Sequence, residues 1–248
     1  MTLDSSWHEL TVSGHACDVY EPSQRNEFGY VVIYLHGMHQ DRLAGQTQFS
    51  EQFDRHGLPV IAPRTGGSWW TDKVCSDFDP QLTAERHVLD NVLSAIESRW
   101  DSRPPRIGLL GTSMGGQGAL RLAYKHPDIF PVTAAIAPAI DYQCLYDEDE
   151  MIQQMYSDSE AVRQDTATLH IHPLNWPRHQ FFCCDPTDYR WWDGADRLRM
   201  KLSSLGVPHE CDLEAEGGGH GFEYYNRMAD RAVQFLADRL DQERRRLV

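Results

Sequence analysis

No stretch of this 248-residue chain is apolar over the roughly 20 residues that a membrane-crossing helix needs. No membrane partner is therefore expected. Basic residues are scarce: 23 Lys and Arg stand against 37 Asp and Glu, for a net charge of -14. That balance disfavours a nucleic-acid partner and an anionic lipid surface. The clearest basic run, Arg244-Arg245-Arg246, ends a helical pattern, where cations suit the helix dipole. The six cysteines (Cys17, Cys75, Cys144, Cys183, Cys184 and Cys211) are too scattered for a disulfide framework. Reduced thiols and a cytoplasmic location are expected. Twelve histidines include no H-E-x-x-H or comparable ligand spacing, so no metal and no other cofactor is expected. The start, Met1 to Trp7, lacks the basic and apolar regions of a secretory leader. There is no internal repeat, linker or low-complexity tract, and one domain spanning 1–248 is expected.

What the chain does have is alternation. Residues 7–12 and 15–20 read as strands joined at Ser13-Gly14 in a hairpin. Apolar runs at 28–35, 59–63, 107–110, 132–136, 180–184 and 209–213 suit strands, several of them buried on both faces. Between them lie helical patterns at about 46–56, 83–100, 118–124 and 195–205, and a final helix using Tyr225, Met228, Ala232, Phe235, Leu236 and Leu240. In the second pattern Leu89, Val92, Leu93, Ile96 and Trp100 form the apolar face. The acidic segment 141–170 breaks the rhythm and reads as a short lid or excursion. The pattern predicts an α/β fold with a mostly parallel sheet covered on both faces. Functional groups should gather at the carboxyl ends of the strands.

One stretch carries chemistry. Gly111-Thr112-Ser113-Met114-Gly115 follows a strand and opens a helix, the context of a nucleophile elbow. Small residues are needed two places either side of the serine, because strand and helix pack together there. Ser113 needs a base, and the base needs a carboxylate. Gly217-Gly218-Gly219-His220-Gly221 lies after the last strand, which makes His220 the candidate base. After the strand at 180–184 come three acids. Asp185 reads as the start of a turn and Asp193 as a helix cap, which leaves Asp188 with the best reach. Asp141 ranks lower. The developing oxyanion needs fixed donors. The backbone N–H groups of Met114 and of Met38, in His36-Gly37-Met38, fit, and both methionine side chains are expected beside the pocket. His39, Trp69, Trp70 and Gln117 are candidate pocket residues.

The segment Gly111-Thr112-Ser113-Met114-Gly115-Gly116-Gln117-Gly118-Ala119-Leu120 resembles the elbow of the α/β-hydrolase superfamily. Within it the likeness is to the putative-esterase group that includes S-formylglutathione hydrolase (esterase D), from Tyr30 to the final helix. Asp188 and His220 fall on that group's acid and base positions. The resemblance implies an eight-stranded sheet and cleavage of carboxylic esters through an acyl-serine, without a cofactor. Thr112 and Gln117 stand where the group often has histidines, and His36-Gly37-Met38-His39-Gln40 departs from its usual wording. Formylglutathione is therefore not the expected substrate; small or medium acyl esters are. A thioesterase, acyl-peptidase or polyester depolymerase with the same triad, and a non-catalytic binding member of the fold, are the alternatives.

Overall fold

The computed structural model describes residues 7–246. Met1 to Ser6, where a leader was sought, lie outside them. Eight strands form one sheet in the order β1-β2-β4-β3-β5-β6-β7-β8. They are β1 (Trp7–Val12), β2 (His15–Tyr20), β3 (Val31–Leu35), β4 (Val60–Pro63), β5 (Ile107–Thr112), β6 (Val132–Ile136), β7 (His179–Cys183) and β8 (Glu210–Asp212). β2 runs antiparallel to β1 and β4; every pairing from β4 through β8 is parallel. Ser13 and Gly14 both have positive φ (48° and 86°), as a two-residue hairpin turn matched to strand twist requires. β3, β5 and β6 are buried at every position, which is why they read as unbroken apolar runs.

The helices are α1 (Thr47–Arg55), α2 (Ala84–Arg86), α3 (Leu93–Trp100), α4 (Met114–Lys125), α5 (Glu150–Met155), α6 (Ser159–Gln164), α7 (Trp192–Leu205) and α8 (Phe222–Arg246). Among the described residues no helix is long and apolar enough to cross a membrane. The helical pattern at 83–100 departs from expectation. A π-helical segment, His87–Val92, joins α2 to α3. The wider turn rotates the buried face, so His87, Val88, Val92, Ile96 and Trp100 are buried while Leu89 and Leu93 are only half-buried. Leu205, the last residue of the helical pattern at 195–205, is exposed at the end of α7, just before Gly206 turns the chain with φ +68°. The apolar face expected of α8 is buried throughout.

The excursion after β6 is a string of short helices: 3₁₀ turns at Tyr142–Leu145 and Ala167–Leu169 flank α5 and α6. It is tied down by a buried ionic network. Arg121 of α4, 1% exposed, bonds Glu85 of α2 and Asp165 after α6. Lys125 and His126 also reach Glu85, and His170 and Tyr156 reach Asp165. Burial pushes the Asp165 carboxyl up, but these partners outweigh it and hold it down at about 2.

Candidate active site

Ser113 sits between β5 and α4 with φ 54° and ψ -119°, a conformation few side-chain-bearing residues adopt. The surroundings hold it there. Its N–H donates to Ile136 O (3.0 Å), and its carbonyl accepts from Gln117 N (3.1 Å) and Ala139 N (3.0 Å). A Cβ on Gly111 would lie 2.0 Å from Gly115 O, so strand and helix meet there without side chains. A Cβ on Gly115 would lie 1.9 Å from Leu35 O, so the second glycine serves the contact of α4 with β3.

The three loops expected to converge do so. His220 Nε2 is 2.8 Å from Ser113 Oγ, and His220 Nδ1 is 2.6 Å from Asp188 Oδ2. An ionised carboxylate only accepts, so the proton sits on Nδ1 and Nε2 is left to accept from the serine hydroxyl. Asp188 is 4% exposed; its Oδ1 accepts from Trp191 N (3.3 Å), and the Cys184 thiol lies 3.7 Å from Oδ2. Burial and the adjacent Asp188 raise the Cys184 thiol, which keeps it protonated as a donor.

The other acids are elsewhere. Asp141 is engaged by Arg197. Asp193 lies in the first turn of α7 but caps nothing; Trp191 holds the cap position, and the nearby N–H of Trp191 is met by Asp188. Asp185 does start the turn, accepting at Oδ1 from Thr187 N (2.8 Å) and Thr187 Oγ1 (2.7 Å). It also braces the histidine loop, since Oδ2 accepts from Gly217 N (2.5 Å) and Gly219 N (2.9 Å). Nothing in the Asp-Pro signal pointed to that second role, because it depends on β7 and β8 being neighbours.

Gly37 brings the loop after β3 against Ser113: a Cβ there would lie 3.3 Å from Ser113 Cβ. The loop is set by His36, whose Nδ1 bonds Gly37 O (2.8 Å) and whose Nε2 accepts from Thr65 N (3.0 Å). Burial lowers His36 to about 4, so it stays neutral and can play both parts. Met114 opens α4, and its N–H has no acceptor within the helix.

A cavity of about 450 Å³ opens over Ser113. Met38, His39 and Trp69 line it as expected, together with Leu145 of the excursion, Arg190, Trp191, Phe222 and Tyr225. Three expectations fail. The Met114 side chain is fully buried in the core. Trp70 is also fully buried: its Nε1 donates to His36 O, and its ring lies under Gly118, where a Cβ would come within 2.5 Å. Gln117 faces the excursion, accepting from Ala167 N (2.7 Å). Adjacent residues in a turn point apart, so Trp69 alone of its pair reaches the cavity, stacked on Tyr142 with centroids 4.2 Å apart. Tyr225, assigned from its spacing to the core face of α8, lines the cavity as well. Among the described residues no group of three or more His, Cys, Asp or Glu could hold a metal ion.

Known proteins share this framework. An S-formylglutathione hydrolase from Agrobacterium tumefaciens superposes with a TM-score of 0.74 over 94% of each chain, at 17% identity. The fluorophosphonate-binding serine hydrolase F of Staphylococcus aureus superposes with a TM-score of 0.76 over 93% of this chain and 98% of its own, at 18% identity. These likenesses establish the α/β-hydrolase fold. In sequence, the chain is 32% identical over 111 residues to Cutinase 1 of Thermobifida cellulosilytica. The match takes in 45% of this chain and spans 40% of the cutinase. The pattern of the Putative esterase family matches residues 10–226, which is most of the molecule and includes all three loops around Ser113: the chain belongs to that family.

Proposed function

We propose that the protein is a serine hydrolase that cleaves small to medium carboxylic esters through an acyl-serine intermediate. The observation that carries this reading is the continuous contact Asp188–His220–Ser113 at the floor of an open cavity. In this reading Ser113 Oγ attacks the ester carbonyl while its proton passes to His220 Nε2. Asp188 keeps His220 in the required tautomer and stabilises the imidazolium. The N–H groups of Met38 and Met114 meet the oxyanion. His220 then protonates the departing alcohol and activates the water that releases the acid. The cavity volume suits a small ligand, and Met38, Trp69, Leu145, Trp191 and Phe222 give it apolar walls. All six cysteines are free thiols, in keeping with a cytoplasmic setting.

A second reading, hydrolysis of a polymeric ester, draws support from the cutinase match and from Tyr189, which is 89% exposed between the cavity residues Asp188 and Arg190. Soluble p-nitrophenyl esters of graded length, run beside a polyester film, separate the two. The triad is tested by intact-mass analysis after a fluorophosphonate probe, with one adduct mapped to Ser113. Ser113→Ala, His220→Ala and Asp188→Asn should each stay folded and lose roughly 10³-fold or more in kcat. A folded wild-type protein that takes no adduct and cleaves no ester overturns the assignment.

A further inference from the structure

The cavity over Ser113 has an open end and a closed one. His39, Asp41 and Arg190 are exposed at its mouth, and Phe222 is half-buried. Trp69 lines the same space but is only 1% exposed, so its indole stands at the inner end. Its loop follows β4, and the excursion follows β6; these two strands flank the β3–β5 pair in the sheet. The two segments meet where Trp69 stacks on Tyr142 of the excursion, with centroids 4.2 Å apart and planes 11° apart.

That wall is braced from behind. Tyr142 is fully buried, and its hydroxyl lies 3.1 Å from that of Tyr156. Tyr156 gives its one proton to Asp165 Oδ2 (2.6 Å), a carboxylate oxygen that only accepts, so Tyr142 donates to Tyr156. Asp165 is in turn fixed by the buried Arg121. A run of contacts thus joins the indole to the ionic network that ties down the excursion. Leu145, which ends the same 3₁₀ turn as Tyr142, lines the cavity as well. The indole is held there against two costs. Trp69 has φ 54°, a conformation that bulky side chains avoid, and among the described residues its buried Nε1 has no hydrogen-bond partner. Core filling alone would be served by a ring without an N–H.

We infer that Trp69, backed by Tyr142, is the stop that limits how long an ester chain can lie in the cavity. One arm of the ester, acyl or alcohol, runs inward from Ser113 and ends against the indole; the other leaves through the mouth. The inference rests on the esterase reading above and adds to it the residue that sets chain length. A chain one or two methylenes too long meets a ring that cannot retreat, because Tyr142 is fixed behind it. The favoured substrates are therefore esters with one short, linear, apolar arm.

The test is Trp69→Leu, which shortens the stop without placing a β-branched residue at positive φ. Trp69→Phe, a smaller change, keeps a ring on Tyr142 and carries the test if leucine destabilises the fold, which circular dichroism and thermal unfolding report. Two series are run: p-nitrophenyl esters of graded acyl length and acetate esters of graded alcohol length. In wild type we expect kcat/KM to drop sharply beyond a certain length in one series. In Trp69→Leu that cut-off should move to longer chains. For the first ester beyond it, kcat/KM relative to the shortest member of the series should rise about tenfold or more, the discrimination that one or two methylenes command in an apolar pocket. Trp69→Phe should shift the cut-off the same way by less. A folded variant with the wild-type length profile in both series overturns the inference, as does a wild-type protein with no cut-off in either, and both results leave the esterase reading intact. A folded wild-type protein that neither takes a fluorophosphonate adduct at Ser113 nor cleaves esters overturns both.

Discussion

Replacing Asp185 by asparagine separates a structural carboxylate from Asp188, the proposed triad acid three residues away. The four groups that touch Asp185 are all donors: Thr187 N–H and O–H at one oxygen, Gly217 N–H and Gly219 N–H at the other. An amide has one accepting oxygen. Whichever way the new side chain turned, its NH₂ would face two of these donors. The variant loses two charge-assisted bonds and strands N–H groups at a fully buried position. The cost is roughly 3 to 5 kcal/mol, for a melting temperature lower by on the order of 10 °C. The pH dependence has the same origin. Burial raises the Asp185 carboxyl, but its donors outweigh burial and leave it lowered. Its contribution is full above the ordinary carboxylate value of about 4 and is lost as pH falls through the folded value. Because Gly217 and Gly219 carry the loop to His220, kcat should also drop, by roughly 10- to 100-fold. Asp188→Asn should show the opposite pattern, a larger loss of kcat with little change in melting temperature. Thermal unfolding and steady-state kinetics on both variants decide the matter. An Asp185→Asn protein that melts like wild type yet is more impaired than Asp188→Asn would refute the assignment of roles.

Gly115→Ala should yield no soluble folded protein, since its Cβ would stand 1.9 Å from Leu35 O, whereas Gly45→Ala, with nothing within 4 Å, should express and melt like wild type. Arg121→Met leaves Glu85 and Asp165 as carboxylates with one strong partner fewer and should cost about 3 to 5 kcal/mol, read from denaturant unfolding. His36 and His87 are both lowered to about 4 by burial. The unfolded chain takes up these protons near pH 6.5 and the folded one does not, so stability should be full above about 6.5 and decline as pH falls towards 4. A melting temperature that stays flat over that window would contradict it.

The sequence by itself determined the layering of this protein and the place of Ser113 at a strand-to-helix elbow. Val31–Leu35, Ile107–Thr112 and Val132–Ile136 are apolar at nearly every position because strands buried on both faces have no water-facing side. Gly111 and Gly115 announce the elbow because no other residue fits contacts of about 2 Å with backbone. Such constraints act within a few residues and leave a local pattern. That the loops of His220 and Asp188 would come to Ser113 was legible too, through their order after the strands. Tertiary structure alone decided the rest. Asp185 became a brace because β7 and β8 pair in parallel and bring its loop against Gly217 and Gly219. Trp69 reaches the cavity while Trp70 supports His36, a division made by the fold of one turn. Tyr225 reads as one more apolar position of α8, and only the docking of that helix beside β5 brings it to the wall of the cavity over Ser113. Periodicity records which face of an element is buried. It does not record which end of a side chain meets which distant loop, because that depends on how the elements are placed in space.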